Sequence, residues 1–415
     1  MRVAGVLMLA SAALAADPAT QQLFEQVRDK VLDNTRRVPR YTCVQAIDRN
    51  QYRPQYDARP AGCEAIIGAR RKLLSPGYLT WHDRLRLDVA VLNGRETFSW
   101  AGARQFETTD IEQLTESGSS GTGDFASFLS AVFGQETTRI SILREDKSPT
   151  DLAFLFGFDV PIDASHYVYR SHGTGEQRAI GYHGTFLVDE RLAELKRLTV
   201  EATPFPADEV MCRVEDVMDY HRVKIGDGDF LLPETSKMTV LFNDGQESQN
   251  ETRYSGCREY GAESSISFDD TTPGASSADL KTTAQRKLPP NLRLQIGLKS
   301  PIHSETAAAG DEIAAVILHD VKDVARANDI VHGRILRLEQ FMLQTPRWVM
   351  AMRFNRIEHN GVERPLDLMP MDDGYRPRGR AILTERRPAG GGVFIFPQLG
   401  NLVLDQKFHS EWETR

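Results

Sequence analysis

Residues 210–260 read VMCRVEDVMDYHRVKIGDGDFLLPETSKMTVLFNDGQESQNETRYSGCREY. Three strand-length segments, Val210 to Ile225, Phe230 to Phe242 and Gln249 to Tyr260, are separated by little more than the pairs Asp227-Gly228 and Asp244-Gly245. Both pairs are residue types that tolerate the positive φ of tight hairpin turns. Connections this short join antiparallel neighbours, since a parallel pair needs a crossover of a dozen or more residues. The stretch therefore reads as an antiparallel meander. Upstream, Tyr167 to His172, Ile180 to Val188 and Leu195 to Thr203 extend it.

Further toward the N-terminus, Leu85, Leu87, Val89 and Val91 alternate with Arg84, Arg86, Asp88 and Ala90, and the turn Asn93-Gly94 leads into Thr97, Phe98 and Trp100. That is a hairpin signature. From Tyr41 onward the period is two, whereas Leu23, Phe24, Val27 and Val31 recur at helical spacing. A helix capped by Asp17, with Pro18 in its first turn and its end before Pro39, is expected there. After the Gly/Ser-rich loop Ser117 to Gly123, a short helix is expected with Asp124 as cap. It would bury Phe125, Phe128, Leu129, Val132 and Phe133 and stop at Gly134. The loop is not a phosphate cradle, because Asp124 stands where a Lys-Ser or Lys-Thr pair would be needed.

Residues 1–15 have the pattern of a signal peptide. Arg2 is followed by the apolar run Val3 to Leu14, and Ala13-Leu14-Ala15 is a small-x-small site with cleavage expected before Ala16. No cysteine follows that site, and no later apolar run reaches membrane-spanning length. A periplasmic or secreted chain is expected. With 50 basic against 58 acidic side chains, nothing favours nucleic acid as a partner. Cys43, Cys63, Cys212 and Cys257 are an even set in an exported chain, and they lack the CxxC spacing of a metal site. Two disulfides are expected. Three connectivities are possible, and proximity in sequence favours Cys43 with Cys63 and Cys212 with Cys257.

Residues 16–260 form one expected unit, residues 261–286 a Ser/Thr/Asp-rich linker, and residues 287–415 a second β unit. Its expected strands include Leu292 to Lys299, Ile313 to Val321, Ile330 to Leu338, Trp348 to Glu358, Glu363 to Leu368, Val393 to Pro397 and Leu402 to Leu404. Met369 to Gly392, rich in Arg, Pro and Gly, reads as a long exposed loop. The fold class is mainly β with few helices: a curved antiparallel sheet or half-barrel with an N-terminal helix, then a small β-barrel or sandwich.

One helix, a meander, a small helical insert, and the strands carrying Gly184-Thr185-Phe186-Leu187-Val188-Asp189, Leu195-Lys196-Arg197-Leu198 and Phe230-Leu231-Leu232-Pro233 together resemble the LolA/LolB and RseB-type lipoprotein-sorting fold. The resemblance covers roughly residues 20 to 260. It implies an incomplete barrel whose concave face receives acyl chains or lipopeptides. Arg40-Tyr41-Thr42-Cys43 in this order of strands is similar to exported proteins of environmental bacteria, which implies a setting and no activity. In the second unit, Ser300-Pro301-Ile302-His303-Ser304, Ala309-Gly310-Asp311-Glu312-Ile313 and Gly333-Arg334-Ile335 resemble the β-barrel of TrbI-type conjugation scaffolds. The membrane anchor and helical insertion of those scaffolds are absent, so channel assembly is not implied.

Catalytic candidates are few. His166, His172, His183 and His221 lack HxH or HExxH spacing, and Asp159, Asp163, Asp189 and Glu190 fall in expected turns. Ser165 and His166 are adjacent and would point to opposite faces of a strand. What remains is the aromatic set Trp81, Phe98, Trp100, Tyr167, Tyr169, Phe186, Phe230 and Phe242, which can line a concavity or simply fill a core. The expected function is a non-catalytic exported protein that binds a lipid, lipopeptide or apolar peptide without a cofactor. An envelope-protein interaction module is the alternative, with a hydrolase third.

Overall fold

A computed structural model describes residues 18–55, 62–92, 94–103, 106, 108, 111–115, 118–121, 123, 125–147, 152–260, 288–321, 324–342, 345–359, 362–371 and 391–415. The expected signal peptide, the cap Asp17, the linker 261–286, Asn93, Ser117, Asp124 and residues 372–390 of the expected loop lie outside them.

The chain opens with α1 (Pro18–Arg37), β1 (Tyr41–Arg53), α2 (Cys63–Arg70), β2 (Tyr78–Leu92) and β3 (Arg95–Trp100). After a strap that contains the 3-10 turn Ile111–Gln113 come α3 (Ser127–Gly134), β4 (Arg139–Lys147), β5 (Leu152–Val160), and the small hairpin β6 (Val168–Arg170) and β7 (Gln177–Ala179). The meander follows as β8 (Tyr182–Asp189), β9 (Glu194–Ala202), β10 (Met211–Ile225), β11 (Gly228–Phe242) and β12 (Glu247–Glu259). The C-terminal part holds β13 (Arg293–Leu298), β14 (Ile302–His303), β15 (Glu312–Ile317), β16 (Ile330–Phe341) and β17 (Arg347–His359). It ends with β18 (Val362–Pro365), β19 (Leu368–Pro370), β20 (Gly392–Phe396), β21 (Val403–Leu404) and β22 (His409–Thr414).

The protein is mostly β, with an N-terminal helix and a large open antiparallel sheet. In the first part the strands run in the order β4-β5-β8-β9-β10-β11-β12-β1-β2-β3, so the first strand sits beside the last of the meander. One sheet face is covered by α1 and α3. Leu23, Val27 and Val31, one helical stripe, meet Phe128, Leu129, Val132 and Phe133 over Phe156, Phe186, Leu198 and Val200. The Phe156 and Phe186 rings stack at 4.9 Å. The helix α2 packs on the opposite face through Ile66 against Cys212 and Leu241.

The C-terminal strands enclose a second core around Trp412, whose ring meets Phe354 edge-on at 5.3 Å. The two parts share one sheet, because β16 pairs with the start of β2 in the register Glu339 with Asp83, Gln340 with His82 and Phe341 with Trp81. Ala309 adds backbone bonds to Arg84 and Arg86 (2.8 and 2.7 Å), and the Arg86 side chain pairs with Asp311.

Four sequence expectations need correction. The disulfides are Cys43–Cys257 and Cys63–Cys212, not the pairs nearest in sequence. β1 lies against β12, so the first and last cysteines are neighbours, while α2 lays Cys63 over β10. Asp159 lies within β5 rather than in a turn. Phe125 precedes α3 and packs against Tyr41 and Tyr254 in a separate cluster, because α3 starts only at Ser127. Met369 belongs to β19, which pairs with β22, so the expected loop starts later.

Candidate functional site

Strand register places two rows of side chains across the inner face, the one under α1 and α3. Asp83, Arg49, Asn250, Met238, Asp216 and Val200 are successive cross-strand partners from β2 to β9. The next row is Leu85, Ile47, Thr252, Ser236, Met218 and Leu198, and it ends at Phe186 on β8. The inner face is therefore apolar toward β8 and β9, where the helices sit, and polar toward β12 and β1. An apolar helix face would leave the groups of the polar end without partners, and here the strap covers them.

Hydrogen bonds hold the strap in place. The Asn250 Nδ2 donates to the Ser119 carbonyl at 2.8 Å, and the Glu96 carboxylate accepts from the Gly123 N–H at 3.0 Å and the Phe125 N–H at 3.4 Å. Within the strap Ile111 is buried, and Glu112 forms an exposed ion pair with Arg170 on β6 at 3.2 Å. Gly118 has φ +82°, and a Cβ there would stand 2.9 Å from Arg49 Nη1 and 3.0 Å from the Trp81 ring. Only glycine fits this approach without strain. Replacing Gly118 with valine is expected to cost about 1–3 kcal/mol, read from urea unfolding, through the disallowed φ and the displaced strap.

Between the strap, α3, the β6–β7 hairpin and the sheet lies a cavity of about 700 Å³. That is within the roughly 300–1,000 Å³ of ordinary ligand sites. Phe98, Phe128, Tyr182, Met211, Val240 and Phe242 give it apolar walls, and Glu96, Ser119, Ser120 and Asp216 face it from the strap side and the sheet. The Tyr167 hydroxyl donates to Asp216 Oδ2 at 3.3 Å. Burial pushes the Tyr182 hydroxyl well above the usual phenol range, so it stays a neutral donor. A second space of about 20 Å³ adjoins the first, sharing Ile111, Ser119, Ser120, Gly121, Asp216 and Met238 as walls and closed by Gln45, Arg49, Ser236, Asn250 and Thr252 together with Ile47 and Leu85.

The eight aromatic residues singled out by sequence do not converge. Phe98, Tyr167, Tyr169 and Phe242 line the cavity. Phe186 is packed beneath α3, 5.0 Å from the Phe133 ring, and Trp100 and Phe230 fill a separate core with Leu87 and Val89. Trp81 lies under the Arg49 guanidinium at 5.3 Å, where β2 meets β16. Sequence reasoning missed the polar members Gln45, Asp216, Ser236, Asn250 and Thr252. The available signal was the run Glu247-Ser248-Gln249-Asn250, polar on both faces of a central strand and buried at all four positions. One face meets α2 through the ion pair of Arg70 with Glu247, and the other meets the strap.

Of the histidines, His166 Nε2 lies 3.2 Å from Gln135 Nε2, and among the described residues no three His, Cys, Asp or Glu side chains gather as metal ligands. Asp189, at the β8–β9 turn, pairs with Lys196 at 3.0 Å. Compared with known proteins, the chain matches no family model, no curated protein and no solved structure.

Proposed function

We propose that this chain is a non-catalytic binding protein that takes the apolar part of an amphiphile, an acyl chain or an apolar peptide segment, into the cavity on the inner face of its sheet. The carrying observation is the cavity of about 700 Å³ with aromatic and thioether walls on one side and hydrogen-bonding groups on the other. Such a division fits a ligand with a long apolar body and a small polar end, for which each Å² of apolar surface removed from water contributes about 25 cal/mol. Two disulfides support the further reading that it acts after export to an oxidising compartment.

The test is calorimetric titration of the full chain with 1-decanol, together with native mass spectrometry of the protein isolated without detergent. Saturable binding with a negative heat-capacity change is expected. Val240→Trp, which fills the cavity from β11, should weaken it about ten-fold or more while leaving the unfolding midpoint within a few degrees. If decanol binds the Val240→Trp variant equally well, or if none of decanol, decylamine and decanoate binds the parent chain, the cavity is not the site.

A further inference from the structure

Two acceptors stand out inside the small polar space. Gln45 Oε1 on β1 and Asn250 Oδ1 on β12 are both inaccessible to solvent, and neither has a hydrogen-bond partner among the described residues. Their side chains are more than nine-tenths buried, at 4% and 5% relative exposure. The orientation of Asn250 is set by its Nδ2, which donates to Ser119 O, so the orphan atom is a carbonyl oxygen. A buried acceptor without a donor costs about 1–3 kcal/mol, and the fold carries two along one space, four residues apart in the β1–β12 register, so that a one-atom donor meets one of them at a time.

The size of that space limits what can satisfy them. At about 20 Å³ it exceeds the roughly 10–15 Å³ that one water-sized group requires and holds no larger head. A carboxylate or phosphate is excluded by bulk, and it would leave both orphan acceptors without a donor. A hydroxyl or a primary ammonium is a single heavy atom that donates. Because the space shares walls with the large cavity, a head seated there belongs to a chain running back along Met238 toward the aromatic walls.

We infer that the polar space is a specificity site for a one-atom hydrogen-bond donor, a hydroxyl or primary ammonium, terminating an apolar chain held in the adjoining cavity. This rests on the proposed role of the cavity and adds the chemistry of the ligand's end to it. Ser119, Ser120 and Gly121, where an added Cβ would stand 2.8 Å from Met238 Sδ, close the space from the strap side. Gln45 and Asn250 are positioned on the two strands whose pairing the Cys43–Cys257 disulfide locks.

The experiment is titration of the full chain with 1-decanol, decylamine and decanoate, repeated on Gln45→Met and Asn250→Leu. Gln45→Met is nearly isosteric and removes an unsatisfied acceptor, so its thermal midpoint should be unchanged or higher, which keeps the test valid if Asn250→Leu folds poorly. Expected is a loss of about ten-fold in decylamine or decanol affinity in Gln45→Met, with decanoate unaffected because its head stays outside the polar space. Whichever donor loses affinity identifies the head. If all three ligands bind and the substitutions change none of them, or change them equally, the polar space holds only water and the inference fails while the cavity reading stands. If none of the three binds, both fail.

Discussion

Replacing Asp83 with alanine is expected to lower the free energy of unfolding by about 3–5 kcal/mol, the cost of leaving a buried cation without its partner. Arg49 and Asp83 are cross-strand neighbours on β1 and β2, joined in a two-pronged pair with the Nε–Oδ1 bond at 2.8 Å, and their side chains are 2% and 3% exposed. Across the seam, Glu339 on β16 is the register partner of Asp83 and is itself paired with Arg337 at 2.7 Å. Two acids and two guanidinium groups thus form a buried set with no net charge where the C-terminal strands join the sheet. Truncating one member unbalances it and exposes the seam. The double variant Arg49→Met/Asp83→Leu removes the pair as a unit and should recover most of the loss, because well-packed apolar replacements of buried ion pairs are often neutral. Urea unfolding of the single and double variants checks both results, and a loss below about 1 kcal/mol in Asp83→Ala, the range of exposed ion pairs, would show that the pair is solvated.

The same carboxyl has a pH signature. Burial, opposed by Arg49, raises Asp83 from 3.8 to about 6. The folded chain therefore holds the proton more tightly than the unfolded one between those values. The stabilisation from this group is complete below about pH 4 and is lost as pH rises through about 6, a direction opposite to that of an acid stabilised by its ion pair. Subtracting the stability curve of Asp83→Asn from that of the parent chain isolates the effect. The difference should fall from about pH 4 to about pH 6 and be flat above about pH 7.

How much of this was readable in the sequence depends on whether the deciding contacts are local. The meander from Tyr182 to Glu259 was readable because Asp-Gly pairs mark its later turns, and α1 because its apolar residues keep helical spacing. β4 and β5 were missed. Their connection has no glycine turn pair, and Leu152 to Phe158 is apolar at nearly every position, so neither period emerges. The aromatic residues were a sound set of candidates only in part, since alternation says which residues are inward and not which inward residues a helix will cover. Phe186 on β8 went under α3, while Phe242 at the end of β11 was left at the cavity. The polar half of the site is long-range by construction. Gln45 and Asn250 line one space because the first strand pairs with the last strand of the meander, and nothing near either residue encodes that pairing.

The disulfides follow the same long-range logic and carry the other large effect. Cys43–Cys257 closes a separation of 214 residues and Cys63–Cys212 one of 149. By the chain-entropy estimate, loops of this length each contribute up to about 5 kcal/mol, so removing either bridge is expected to cost about 3–5 kcal/mol. The two losses should differ in kind. Without Cys43–Cys257, β1 still has its ladder to β12 from Tyr41 to Tyr52, so the folded state persists and the loss comes mainly through a freer unfolded chain. Without Cys63–Cys212, α2 is held among the described residues by the small contact of Ile66 and Ile67 with Leu241, the Arg70–Glu247 pair and the Arg71–Glu201 pair at 3.5 Å, and its detachment would take the partner from the almost fully buried Glu247 carboxylate and open it to water. Cys43→Ala/Cys257→Ala should therefore shift the urea midpoint with native-like amide protection throughout. Cys63→Ala/Cys212→Ala should in addition lose protection in α2 and at the start of β12 before global unfolding. Equal protection in both double variants would mean that packing alone anchors α2, so that β12 keeps its polar residues buried on both faces without help from the bridge.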